Sequence, residues 1–348
     1  MNQRVFEALP ALLLPWYAEH HRDLPWRADR EPYHVWLSEI MLQQTRVEAV
    51  KGYYARFLAA LPTIEDLANC DDELLTKLWE GLGYYNRVRN LKKAANVLLE
   101  RHGGVFPREY RQVLELPGIG PYTAGAICSI CFDLPTPAVD GNVLRLVTRL
   151  TDDHRPIDLP PVKDEITRHL AEVYPEEAGN FTQALMELGA TICGPNTDPD
   201  CGNCPCRRIC IACAGGTAEQ LPVKTPKRQR RIEEKTVLIL RCEALYAVLK
   251  RPAEGLLAGL WQFPDLEGKR EIEDTLTAVE QMGLKPKEIY RSVERKHVFT
   301  HVIWDMRGVY MEVAEPAGKG LTWLSEADIE AQIALPTAFR QFWEERDV

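Results

Sequence analysis

Four cysteines and two carboxylates carry the chemistry that this chain can be read to perform. Six of its ten cysteines fall between Cys193 and Cys213. The run Cys193-x7-Cys201-x2-Cys204-x5-Cys210 places four thiols within 18 residues. Four thiolates so close in sequence can close a site for either zinc or an iron–sulfur cluster. Spacing does not separate the two, because only one C-x2-C unit belongs to the quartet. Cys206 and Cys213 add further thiols, and Cys210-x2-Cys213 makes a second pair. The Gly, Pro, Asn and Asp residues around them argue against plain core cysteines. The simplest role for such a site is structural: it pins the loop carrying Arg207 and Arg208, where those cations can meet phosphates.

Glu39 is the first carboxylate. If Val35 to Gln44 is a helix, Glu39 shares a face with Val35, Trp36 and Leu42. Desolvation there raises its pKa, which a general acid at neutral pH requires. The competing reading is an amphipathic helix with Glu39 partly exposed. Asp140, in Ala138-Val139-Asp140-Gly141-Asn142-Val143, stands at a helix start, and capping alone would explain it. A carboxylate at a helix N-terminus also remains ionised and can face a developing cation. An acid beside an anion is what breaking a glycosidic bond through an oxocarbenium-like sugar needs. Leu116-Pro117-Gly118-Ile119-Gly120-Pro121 reads as a hairpin opening a helix. Gly118 and Gly120 permit positive φ, and Pro121 suits the first helical position. The free N–H groups of the helix start suit a phosphate. The hairpin is either a tight interhelical turn or a grip on a nucleic-acid backbone that reads no sequence.

The elements that must position these residues fall into two kinds. Residues 1 to about 192 read as some ten short helices. Phe181, Ala184, Leu185 and Leu188 repeat at i, i+3, i+4, i+7, as do Val143, Leu146, Val147 and Leu150. Thr63 to Asp66 resembles a capped start, and Gly103-Gly104 a stop. Pro222, Pro226 and the basic run Lys227 to Arg231 read as an exposed connector or a secondary DNA contact. From Lys235 the pattern turns to strands, at Thr236–Leu240, Tyr246–Leu249 and His297–Trp304, with helices near 271–282 and 325–333. That half is α+β.

Hydrophobic residues make up 45% and charged residues 27% of the 348, as in ordinary globular chains long enough for two domains. The net charge of −9 argues mildly against nucleic acid, but one basic face is enough. Arg87, Arg89, Lys92 and Lys93 form one candidate, Arg207 and Arg208 another. No apolar run is long enough to span a bilayer, and the N-terminus lacks a signal-peptide pattern. The expectation is a soluble cytoplasmic protein that does not engage a membrane.

Taken together, the motifs resemble the MutY family of adenine DNA glycosylases, within the endonuclease III-like helix–hairpin–helix superfamily. The segments that carry this are Leu24–Arg27, Trp36–Thr45, Gly81–Tyr85, Leu116–Thr123, Val139–Asn142 and the cysteine cluster. The resemblance implies a mainly α N-terminal helix–hairpin–helix glycosylase domain over 1–215, with the hairpin at 110–130 and an iron–sulfur loop at 193–210. A linker at 216–234 and an α+β MutT-like domain at 235–348 follow. It implies that Glu39 protonates N7 of a flipped adenine and helps activate water, that Asp140 stabilises the sugar cation by charge or through a transient covalent bond, and that Tyr122 and Asn142 position these groups. Arg27 faces the adenine pocket. Gln43 and Tyr84 enter the lesion space, and Thr45 and Leu82 count with them as substrate contacts. Gly118 and Gly120 meet the DNA backbone. Cys193, Cys201, Cys204 and Cys210 bind [4Fe–4S].

Tyr122 occupies the position where bifunctional relatives carry a lysine, and a phenol cannot form the Schiff base that leads to strand cleavage. Gly255–Pro264 and Phe299-Thr300-His301 resemble the MutT-like module, which implies 8-oxoguanine recognition by the latter three. The Glu-rich helix of nucleotide pyrophosphatases is missing. The expected partner is double-stranded DNA with adenine opposite 8-oxoguanine or guanine, bound by a monomer. Two departures stand out: a first cysteine gap of seven residues where six is usual, and Thr300 where serine is usual. The first leaves open a part for Cys206 or Cys213. The rival readings are a glycosylase/lyase for oxidised pyrimidines, a thymine glycosylase, and a non-catalytic iron–sulfur protein that grips DNA.

Overall fold

The computed structural model describes residues 2–195, 199–226 and 229–346; Lys227 and Arg228 of the basic run lie outside the described residues. The chain divides into two compact units. One comprises the chain through Asn69 and Arg89–Pro226, and the other comprises Cys70–Val88 and the chain from Lys227 onward.

Helices build the first unit: α1 (Gln3–His20), α2 (Pro32–Leu42), α3 (Val47–Ala60) and α4 (Ile64–Asn69). After α5 (Asp72–Leu78), which belongs to the second unit, follow α6 (Asn86–His102), α7 (Tyr110–Leu114), α8 (Pro121–Phe132), α9 (Gly141–Thr151), α10 (Pro160–Ala171), α11 (Ala178–Thr191) and α12 (Ile211–Gly215). Local chemistry sets their ends. Thr63 and Asp66 satisfy each other's backbone N–H groups at the start of α4, at 3.1 Å in both directions, a reciprocal cap. Gly103 and Gly104, both at positive φ, end α6. The two apolar stripes read from the sequence, on α9 and α11, meet in one buried cluster with Phe6, Leu9 and Leu13 of α1. Each such side chain stabilises the fold by roughly 1.5–3 kcal/mol.

In the second unit, strands β1 (Arg231–Cys242), β2 (Leu245–Lys250), β3 (Trp261–Gln262), β4 (Asp265–Glu267), β5 (Pro286–Val298), β6 (Val302–Val313) and β7 (Thr322–Ser325) form one sheet. Its order is β3-β2-β1-β6-β5, with β4 beside β1 and β7 beside β2. Only the β1–β6 pairing is parallel among those described. Alternate residues of β1 serve opposite faces. Val237 and Ile239 pack with Phe339, Phe342 and Trp343 of α15 (Thr337–Trp343). Leu238 and Leu240 pack with Val279 of α13 (Ile272–Gln281). Both faces are covered, which is why Val237 to Leu240 reads as an unbroken apolar run. Helix α14 (Glu326–Gln332) matches the second expected helix.

The structure corrects three expectations. The run His297–Trp304 is not one strand: β5 ends at Val298, a turn takes Phe299 to His301, and β6 begins at Val302. The turn carries neither Gly nor Pro, and β-forming residues flank it, so composition hid it. Strand β1 begins at Arg231 rather than near Lys235, because its early residues pair with β6. Of the hairpin glycines, Gly118 has φ +76, whereas Gly120 has φ −97 and caps α8.

Gly125 in α8 lies where any Cβ would collide with the Pro137 carbonyl. Gly125→Ala is therefore expected to cost about 1–3 kcal/mol by overpacking. Urea unfolding reads this directly, and an unchanged midpoint would show that α8 has room to shift.

Candidate active site

The segments α2, α8, α11 and the start of α9 enclose a cleft of about 570 Å³ lined by Arg27, Glu39, Gln43, Tyr122, Asp140 and Glu187, among others. That volume falls within the range of small-molecule sites. Glu39 projects from α2 and is 7% exposed. Burial pushes its carboxyl up to about 7, and the Asp140 charge adds to the rise. The Tyr122 hydroxyl donates a short hydrogen bond to Glu39 Oε2, which pulls the other way. Tyr122 is itself held well above the ordinary phenol value, first by burial, so it remains a donor.

Asp140 caps α9 as its position suggested, and its carboxylate is tightly held. Oδ1 accepts from the backbone N–H groups of Asn142 at 2.9 Å and Val143 at 2.8 Å. Oδ2 accepts from the Asn142 side-chain amide at 2.7 Å. Burial pushes its pKa up, while the cap bonds and Arg145 oppose that rise. Asn142 is fixed at its other end by Arg145 Nη2, at 2.9 Å. Arg145 also donates to the carbonyls of Gly189 and Cys193, at 2.6 and 2.8 Å.

Sequence reasoning missed Glu187. It is fully buried on α11, and both oxygens are taken by arginines. Arg22 donates through its backbone N–H at 3.1 Å, Nε at 2.6 Å and Nη2 at 2.9 Å, and Arg27 Nη2 donates at 2.7 Å. Although burial works against the charge, these donors hold the carboxyl down at about 2. The available signal was a lone acid among the apolar repeat of α11. Arg27 thus reaches the cleft already tethered, its guanidinium 5.6 Å from the Tyr17 ring.

Glu39, Tyr122, Asp140, Asn142, Arg27, Gln43 and Thr45 are therefore brought to one cleft. Leu82, Tyr84, Phe299, Thr300 and His301 belong to the second unit. There the Tyr84 hydroxyl and Thr300 Oγ1 are hydrogen-bonded at 3.0 Å, Leu82 is buried and Phe299 packs on the core, and His301 is exposed. Gly118 lies in the first unit, where a Cβ would come within 2.5 Å of Asn90 Cβ.

A second cavity is lined by Cys193, Cys201, Cys204, Cys210 and Cys213, with Leu146 and Leu150 as apolar walls and Arg149 and Arg207 as cations. Arg149 Nη1 donates to Cys193 Sγ at 3.3 Å and to the Cys193 carbonyl at 3.2 Å. The Cys210 thiol donates to the Arg149 carbonyl at 3.4 Å. Among the described residues, no three His, Cys, Asp or Glu side chains are arranged around a single ion. None of the helices described is long and apolar enough to cross a membrane.

Residues 37–176 match the family described as HhH-GPD superfamily base excision DNA repair protein, and residues 236–345 match the NUDIX domain. An adenine DNA glycosylase of Rattus norvegicus is 33% identical, the match covering 96% of this chain and 78% of that protein. One of Homo sapiens is also 33% identical, over 94% of this chain and 72% of its own. Among solved structures, a thermostable thymine-DNA glycosylase superposes with a TM-score of 0.56 at 27% identity, over 61% of this chain and 98% of its own. A trapped endonuclease III–DNA covalent intermediate does so with a TM-score of 0.53 at 22% identity, over 62% of this chain and 99% of its own; it shares the fold.

The Glu187 pairing makes a stability prediction. A carboxylate held down contributes stability that is present above its unfolded value and lost as pH falls through about 2. The shift corresponds to about 3 kcal/mol. Glu187→Gln is expected to lower unfolding free energy by about that much at neutral pH, with the deficit shrinking steadily as pH falls from about 4 toward 2. Urea melts across that range test it; a deficit independent of pH would mean that shape, not charge, makes the contact.

Proposed function

This chain belongs to the adenine DNA glycosylase family, base excision repair enzymes that hydrolyse N-glycosyl bonds, and on that premise we propose that it excises adenine mispaired with 8-oxoguanine or guanine from double-stranded DNA, as a monomer. The observation that carries this reading is Glu39: a carboxyl buried in a cleft with room for an extruded base, poised at about 7, with a second carboxylate in the same cleft.

The adenine must first leave the stack, which costs least at a mispair. Glu39 then gives its proton to N7 of the purine. The C1′–N9 bond breaks with its electron pair going to the base, and the sugar is left with a positive charge. The Asp140 carboxylate faces that charge; burial raises its pKa, and its cap hydrogen bonds and Arg145 oppose that rise in favour of the ionised form that this role needs. Water adds at C1′ as Glu39, now a carboxylate, takes the water's proton and is restored as an acid. Tyr122 orients Glu39 through its short hydrogen bond, and Asn142 orients Asp140. Arg27, held by Glu187, Gln43 and Thr45 contact the base and its surroundings. In the second unit, Leu82, Tyr84, Phe299, Thr300 and His301 meet the lesion partner. Gly118 and Gly120 let a phosphate approach the start of α8.

Cys193, Cys201, Cys204 and Cys210 hold a [4Fe–4S] cluster in this reading. All four line one cavity, and it is the family resemblance that favours a cluster over a lone zinc ion. Arg149 and Arg207 offset the charge of four thiolates. When bound, the cluster supplies no step of base release; it fixes the loop that carries Arg207 and Arg208.

Three outcomes follow in a glycosylase assay on a duplex with one adenine opposite 8-oxoguanine. Glu39→Gln removes the proton donor and should slow base release by at least ~100-fold; unchanged release would remove Glu39 from the mechanism. Because the acid must be protonated, the wild-type rate should fall as pH rises through about 7, whereas a flat profile would assign the proton to another group. Borohydride should trap no enzyme–DNA adduct efficiently, since Tyr122 offers no amine.

A further inference from the structure

The cysteine-lined cavity presents one thiol more than a four-sulfur site uses. Cys193, Cys201, Cys204, Cys210 and Cys213 line it, and Cys206 does not. Cys206 is wholly buried in the hydrophobic core, beside Cys204 but outside the cavity lining.

Cys213 stands differently. It sits on α12, three residues after Cys210, which caps that helix. Its backbone N–H donates to the Cys210 sulfur, so the two residues are held in register. Cys213 and Cys201 are both half-buried and line the same cavity, their thiols near enough to interact. Two thiols on the wall of one cavity are placed to exchange as donors by side-chain rotation.

We infer that Cys213 is a reserve ligand at this cavity, able to take the place of Cys201 on iron. The inference rests on the [4Fe–4S] reading above. The exchange replaces one Fe–S bond by another. The incoming Cys213 sulfur releases its proton, and the outgoing Cys201 sulfur takes one up, so no electron is transferred. In the absence of the Cys201 sulfur, Cys213 completes the set with Cys193, Cys204 and Cys210.

The test measures iron and acid-labile sulfide per chain, with visible absorbance and far-ultraviolet circular dichroism, on the full-length protein purified without oxygen. Cys213→Ala and Cys201→Ala are each expected to keep the cluster, whereas Cys201→Ala/Cys213→Ala loses it. Cys204→Ala, at a position with no reserve thiol facing the cavity, loses it despite an intact Cys213. To separate ligation from misfolding, Cys201→Ala/Cys206→Ala removes the extra thiol outside the cavity and is expected to retain iron and sulfide. The inference is overturned if Cys201→Ala loses the cluster as fully as Cys204→Ala, if the Cys201/Cys213 double variant keeps it, or if both double variants lose it alike. Loss in Cys213→Ala alone would make Cys213 a regular ligand and overturn the reserve role. A wild-type chain free of iron and sulfide would sink the cluster reading itself, a result distinct from any of these.

Discussion

The desolvation of one carboxyl group is the constraint on which the site depends. The Glu39 carboxyl is pushed up to about 7 because the apolar faces of α2, α8 and α9 close around it, against the opposing pull of the hydrogen bond from Tyr122. Water admitted to that cleft would restore the ordinary carboxylate value and remove the acid. The tight approach of α8 to its neighbours, with Gly125 under the Pro137 carbonyl, therefore serves the chemistry as much as the fold.

Helix α9 joins the two chemical features of the first unit. Its N-cap is Asp140, and its buried stripe is part of the main core. Arg145 and Arg149, on another face, reach the carbonyl of Cys193, and Arg149 also reaches its sulfur. Buried guanidiniums are costly unless fully paired. Here backbone carbonyls and the Asn142 amide oxygen supply the partners. Gly189 of α11 packs directly against Asn142, leaving no room for a Cβ. The same helix pair that forms the core thus sets the position of the Asp140 cap.

The second unit takes in a piece of the helical region. Cys70–Val88 packs with the C-terminal sheet, where Glu73 meets Lys250 and Trp261 and Tyr84 meets Thr300. These are contacts between residues more than two hundred positions apart for the last pair, and nothing in local periodicity announces them. Covering both faces of the sheet leaves Phe299 to His301 on a hairpin end, where Phe299 packs on the core and His301 is exposed.

Local patterns in the sequence were enough to read the helices of the first unit, the apolar faces of α9 and α11, the Thr63 cap, the Asp140 cap, the strand-rich second half and the thiol spacing. Each depends on residues within one or two turns of one another, where period and capping chemistry act directly. The motifs together also placed the chain in its family. Tertiary structure alone decided how each group behaves. The rise at Glu39 and at Asp140, the arginine pair on Glu187 and the choice of Cys213 over Cys206 as a cavity thiol come from how the elements pack, while the ordinary φ of Gly120 and the turn at Phe299 to His301 are local but carry no compositional signal. Charge stabilisation and desolvation are set by what surrounds a group in space, and a linear pattern does not contain those neighbours.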